Sequence, residues 1–196
     1  MSHIDRIEDR AIQARIDELL DTAQESANIF STYTTEQVQK IVLAMSEAGQ
    51  EKAAFYAEWS VRETGRGNVD DNVVKNLSCS TGLLERYRPA DFVEPVIDDE
   101  KKIIAFPKPA GIIAALIPST NPVMTVYYKA MVSMMTRNAI IFSPHPAMVA
   151  RYATALPVCR VSVNTRGVEG SSGVCFHEPD PWSGDWDGFF WRRFGG

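Results

Sequence analysis

An α/β fold built on a parallel sheet is predicted by three observations between Lys108 and Pro146. The apolar run 112–117 is too short for a helix and is bracketed by Gly111 and Pro118, which reads as a buried strand. Pro122 suits the first position of a helix, where its missing N–H costs nothing, and helical sequence continues to about residue 137. A second apolar run, 139–142, comes next. Strand, helix, strand with apolar strands is the βαβ unit of a parallel sheet. One loop around Pro118, Ser119, Thr120 and Asn121, and a second from Ser143 to Pro146, then leave the carboxyl ends of the two strands. Ligands of open α/β sheets bind at that edge.

The chain ahead of this unit reads as helices. From Ile4 to Phe30 the apolar residues step by three, four or five, one stripe on a long amphipathic helix. Thr34 and Gln37 have capping-box spacing, and Val38, Ile41, Val42 and Met45 continue on one face of a second helix. Gly49 is expected to separate this from a third, which stops at Thr64 and Gly65. A fourth is expected to start near Asn68 and to run on through Tyr87, with Asp70 and Asp71 suited to the positive end of its dipole. Two short apolar runs, 92–97 and 103–106, flank the charged turn 98–101 and predict an antiparallel hairpin. After Pro146 a helix through Met148, Val149 and Tyr152 and a strand at 159–163 are expected. A Gly/Ser-rich loop and an aperiodic Trp-rich tail complete the chain. The division this implies is 1–156, helices plus a partial α/β domain, and 157–196, a remnant strand and irregular tail.

Composition narrows the function. A net charge of −5 and no basic cluster with interleaved aromatics before the last residues argue against a nucleic-acid partner. No apolar run approaches the roughly 20 residues that span a bilayer, and the charged N-terminus is not a signal peptide. No membrane partner is expected. Three cysteines without CxxC spacing favour reduced thiols, so a cytoplasmic protein is the default expectation.

Asn121 is the best single candidate for chemistry. Its plain reading is an N-cap ahead of Pro122. The functional one is a side-chain N–H₂ donor to a developing oxyanion, and the two are compatible. Ser143, Pro144, His145 and Pro146 read either as a rigid strand-to-helix turn or as a wall for a nucleotide's ribose or adenine, with Ser143 and His145 as hydrogen-bonding groups. Lys108 is read as solvated, or as a phosphate partner. Cys79 is expected inside a helix as a buried thiol, and Met124, Met131, Met134 and Met135 as core filler. Cys175 comes after the Gly/Ser-rich loop with no neighbouring charge that clearly lowers its pKa. No metal-ligand spacing stands out, and neither GxSxG, a P-loop, GxGxxG nor HExxH is present.

Four ordered blocks carry a resemblance. YTTEQVQKIV at 33–42, ETGRGNVDDNVVKN at 63–76, KPAGIIAALIPSTNP at 108–122 and TRNAIIFSPHP at 136–146 resemble the CoA-acylating branch of the aldehyde dehydrogenase superfamily. The resemblance implies a partial Rossmann-like parallel sheet with N-terminal helices. It also implies NAD(P) as cofactor, coenzyme A as co-substrate, a small aldehyde as substrate and a homo-oligomer. The implied reaction is oxidation of the aldehyde to an acyl-CoA through a cysteine thiolate. Asn121 would be the oxyanion donor. Ser143 and His145 would lie along the nucleotide, and Pro118, Ser119 and Thr120 would line the same crevice.

The departures begin near Ala155. CRVSVNTRGVEGSSGV resembles a segment that lies much nearer the family's C-terminus, and the part that would hold the nucleophile has no counterpart. None of Cys79, Cys159 or Cys175 falls on the nucleophile's motif. The expectation is a fragmentary or internally deleted homologue with absent or weak turnover, or a non-catalytic nucleotide-binding or subunit-interaction remnant. The terminal WRRFGG reads as a truncated or frame-shifted end.

Overall fold

The computed structural model describes residues 3–88, 90–118 and 120–144. The helix, strand, loop and tail expected after Pro146 lie outside the described residues. Helix α1, His3–Phe30, buries Leu19, Ala23, Ala27 and Phe30 of the stripe that its periodicity predicts, whereas Ile16 of the same stripe is exposed. Helix α2, Thr35–Glu51, starts in a full capping box, with the Gln37 N–H donating to Thr34 Oγ1 and the Thr34 N–H to Gln37 Oε1.

Gly49 does not end this helix, contrary to the expectation. It sits inside α2 because a Cβ there would stand 2.8 Å from the Cβ of Ser80. The missing side chain lets α2 pack closely against the Ser80 side chain, and the break falls at Lys52. Helix α3, Ala53–Thr64, ends as expected on left-handed Gly65, whose N–H donates to the Val61 carbonyl at 2.8 Å.

The expected fourth helix is two: α4, Val69–Ser78, capped by Asn68, and α5, Thr81–Tyr87. The Ser80 hydroxyl donates to the Asn76 carbonyl at 2.8 Å, and the Ser80 N–H reaches back three residues to Leu77. A hydroxyl that takes a helical carbonyl tightens and ends the turn. Cys79 is therefore the cap of α4 rather than an interior residue.

Strands β1, Val96–Asp98, and β2, Ile103–Ala105, form the expected antiparallel hairpin, and Asp98 accepts the Lys101 backbone N–H across the turn. Strand β3, Ile112–Ile117, helix α6, Pro122–Met135, and strand β4, Ala139–Pro144, are the βαβ unit, parallel and in register from Ile112↔Ala139 to Ile117↔Pro144. Strand β4 runs two residues past the expected 142, so Ser143 and Pro144 belong to the ladder opposite Leu116 and Ile117 and not to a loop. Asn138 ties the two strand starts together by accepting the Gly111 N–H on its side chain at 2.9 Å.

The core gathers Phe30, Ile41 and Met45 against Val126, Tyr127, Met131, Ile140 and Phe142. Strand β3 is covered on one face only. Ala115 and Ile117 are buried, while Leu116 is 70% exposed. Its continuous apolar run predicts burial on both faces, and among the described residues nothing covers the second.

One ionised group fastens the segment ahead of the hairpin. Asp91 accepts the Val93 and Glu94 backbone N–H groups at 2.7 and 3.0 Å and the Thr35 hydroxyl at 3.2 Å. Burial opposes its charge, but these bonds and the nearby Arg137 outweigh it and hold the carboxyl below the usual carboxylate range. A depressed carboxyl stabilises the fold above its unfolded pKa, about 3.9, and that contribution disappears as pH falls through the folded value. Asp91→Asn is therefore expected to cost about 1 kcal/mol or less at neutral pH, because the group is largely solvated. The gap between variant and parent melting temperatures should close below about pH 4. A gap that widens on acidification would contradict this.

Candidate functional site

Both strands that precede the sequence-predicted loops end at the same edge of the sheet. Ile117 and Pro144 are paired neighbours, so the chain emerges from β3 and from β4 side by side. The amino end of α6 opens at this edge with Pro122 in its first turn and no acidic residue there. Its unpaired backbone N–H groups and helix dipole favour negative charge at that point.

Asn121 occupies the N-cap position, as expected, but its side chain does not cap. Thr34 and Asn68 have ψ of 165 and 164 and do cap with their side chains, whereas Asn121 has φ −140 and ψ 61. That backbone turns the carboxamide away from the first helical N–H groups. The Asn121 carbonyl accepts the Thr125 hydroxyl at 2.6 Å, and its Nδ2 makes one long contact, 3.4 Å, to Thr120 Oγ1. The plain N-cap reading of the side chain is thus corrected: the carboxamide is not committed to the helix.

Asn121 opens onto a small crevice between α3, α4 and the start of α6, lined by Ser60, Asn72, Asn76, Thr120 and Met124. Asn76 is fixed by a bond from its Nδ2 to the Ala53 carbonyl at 3.0 Å. Among the described residues no charged side chain lines this space. Ser60, Asn72 and Asn76 were not among the sequence candidates. The available signal was the four-residue spacing of Asn72 and Asn76, which puts two amides on one face of α4.

Of the residues expected at this edge, Thr120 lines the crevice with Asn121, whereas Pro118 is exposed at the end of β3. Ser119, His145 and the side chain of Ser143 lie outside the described residues, as do Cys159 and Cys175. Lys108 is exposed before the opposite, amino end of β3, a strand length of about 20 Å away. Met131, Met134 and Met135 are core, as expected, but Met124 lines the crevice. Cys79 is half-buried outside the crevice, and burial pushes its thiol up.

A larger cavity, about 260 Å³, lies elsewhere, against the carboxyl end of α6 at Met135, with Val38, Val42, Leu84, Tyr87 and Phe92 around it. Its walls are mainly apolar, and its one carboxylate, Asp91, already accepts three donors. It lies at the opposite end of α6 from Asn121, away from the edge where β3 and β4 end.

Among the described residues no helix is long and apolar enough to cross a membrane, and no three His, Cys, Asp or Glu side chains cluster as metal ligands. The edge described above has two features that dinucleotide sites use. Adjacent parallel strands end together there, and a helix amino end without acidic residues faces the same space.

The chain is matched over residues 3–160 by the profile of the aldehyde dehydrogenase family. It is 34% identical over 134 residues, 68% of its length, to the bifunctional aldehyde-alcohol dehydrogenase of Escherichia coli (strain K12). It is 30% identical over 155 residues, 78% of its length, to the acylating sulfoacetaldehyde dehydrogenase of Bilophila wadsworthia (strain 3_1_6). It spans 15% and 33% of the length of these two relatives. Among solved structures it resembles an acetylating aldehyde dehydrogenase from Geobacillus thermoglucosidasius, with TM-score 0.71 and 34% identity, covering 84% of this chain and 36% of that one. A probable aldehyde dehydrogenase from Listeria monocytogenes EGD-e gives TM-score 0.72 and 30% identity, covering 83% and 36%. The parallel βαβ unit with helices ahead of it is thus the fold that the four sequence blocks imply, and this chain belongs to the aldehyde dehydrogenase family.

Proposed function

We propose that the chain carries the carbonyl- and nucleotide-binding part of an NAD(P)-dependent, CoA-acylating aldehyde dehydrogenase, which oxidises a small aldehyde to an acyl-CoA. One observation carries this reading: the Asn121 carboxamide stands at the amino end of α6 without spending itself as a cap. Its Nδ2 is a donor held ready for a carbonyl oxygen that gains negative charge, and the helix field acts in the same direction. NAD(P)⁺, when bound, supplies the hydride acceptor. Ser143 and His145 would contact it, with Pro118, Ser119 and Thr120 along the same edge, and coenzyme A would accept the acyl group. The names of the matched relatives support the acylating reaction. The apolar side chains exposed on the β1–β2 hairpin, Val96, Ile97, Ile103 and Ile104, support a homo-oligomer. A cytoplasmic location goes with the same reading.

A second reading, nucleotide or subunit binding without turnover, is favoured by the thiols. A family nucleophile is a thiolate facing the oxyanion donor. Cys79, the one described cysteine, is outside the crevice and held protonated by burial. Acetaldehyde, coenzyme A and NAD⁺ mixed with the chain are therefore expected to give no reduced nucleotide above the protein-free rate. Turnover that Cys175→Ala abolishes would overturn this and place the nucleophile after residue 144.

A further inference from the structure

We propose that the crevice beside Asn121 selects short aldehydes that carry a hydroxyl group over their plain alkyl counterparts, through Ser60, Asn72 and Asn76. The inference rests on Asn121 being the carbonyl donor, since the three residues then face the substituent of the bound aldehyde.

Its ground is a set of polar side chains that open onto the crevice with hydrogen-bonding capacity unused by the described residues. Asn76 is 3% exposed and Ser60 8%, and both line the crevice. The Asn76 Nδ2 is fixed on the Ala53 carbonyl, while its Oδ1 accepts no hydrogen bond among the described residues. The Ser60 hydroxyl makes none either; its backbone carbonyl alone is used, by Thr64. Asn72, half-buried one turn before Asn76, adds a whole carboxamide whose side chain makes no hydrogen bond among the described residues. Polar groups of inward-facing residues ordinarily find a partner, so side chains that keep this capacity free on a crevice wall point to a hydrogen-bonding group placed in the crevice.

The chemistry of the lining then narrows the ligand. An alkyl chain would displace water from Ser60, Asn72 and Asn76 and give nothing back, and each buried polar group left unpaired is costly. A hydroxyl both donates and accepts, and so answers the Asn76 oxygen and the Asn72 amide together. Sites that hydrogen-bond a substrate hydroxyl reject analogues lacking it far more strongly than apolar pockets reject an added methylene. A carboxylate or sulfonate substituent is disfavoured, because no Lys, Arg or His lines the space among the described residues.

Glycolamide and propionamide are unreactive probes that differ only by hydroxyl against methyl and present the same carbonyl. Titration of each into the isotope-labelled 196-residue chain, followed by ¹H–¹⁵N spectra, reads the Asn121, Asn72 and Asn76 side-chain amides separately. Both probes are expected to move Asn121, with glycolamide binding about tenfold or more tightly. Asn72→Leu with Ser60→Ala should bring the ratio near one while Asn121 still responds; neither change touches the Asn76 anchor. Equal affinities in the parent chain would overturn the selectivity and leave Asn121 as the carbonyl donor. A response at Asn72 and Asn76 without one at Asn121 would overturn the donor assignment and, with it, the orientation that the selectivity needs. Silence at all three amides would overturn both.

Discussion

Replacing Phe142 by alanine is expected to remove most of the chain's stability. Phe142 is 1% exposed on β4, paired across the ladder with Ala115, and belongs to the cluster of Tyr127, Met131 and Ile140. Large-to-small changes at such aromatic sites cost about 3–5 kcal/mol, the sum of lost transfer energy and the cavity left behind. Whole domains are stable by about 5–15 kcal/mol, and β3 has a face uncovered among the described residues, so little reserve is expected. Urea titration followed by far-ultraviolet circular dichroism should show the midpoint falling sharply, with Phe142→Leu intermediate. A loss under about 1 kcal/mol would mean that β4 is not packed as described.

The second large effect is at Gly49. A helical Gly→Ala change normally gains about 1 kcal/mol. Here the added Cβ would meet the Ser80 Cβ at 2.8 Å, and Ser80 is fully buried and bonded to the Asn76 carbonyl. Overpacking of this kind costs about 1–3 kcal/mol, so the sign is expected to reverse into a net loss, larger for Gly49→Val. The displacement also reaches the crevice, because Ser80 holds the end of α4 on which Asn72 and Asn76 stand. Ser80→Gly in the Gly49→Ala background removes the clashing Cβ and should recover part of the loss. Stabilisation by Gly49→Ala alone would contradict the close approach.

The same glycine shows where sequence reading stops. Gly111, Pro118 and Pro122 punctuate β3 and the start of α6 at their true boundaries, so these were legible from local chemistry, whereas β4 runs two residues past its apolar run. Gly49 has the same local look but serves a tertiary contact that only the packing of α2 against Ser80 reveals. The break at Cys79 and Ser80 carries neither Gly nor Pro; it comes from a hydroxyl capturing a backbone carbonyl. Likewise the run 112–117 is apolar throughout, and periodicity cannot tell that the Leu116 face is open. At the site, Asn121 was legible as a residue type just after a strand. Ser60, Asn72 and Asn76 were not, because polar residues on amphipathic helices read as solvated until the fold brings three helices together.

The proposed nucleotide edge, with no nucleophile beside it among the described residues, is tested most directly by calorimetric titration of NAD⁺. The predicted result is saturable binding at one site, weakened by His145→Ala, with no reduced nucleotide formed when acetaldehyde and coenzyme A are added. Absence of any binding heat, with the chain shown folded by a cooperative melt, would contradict it.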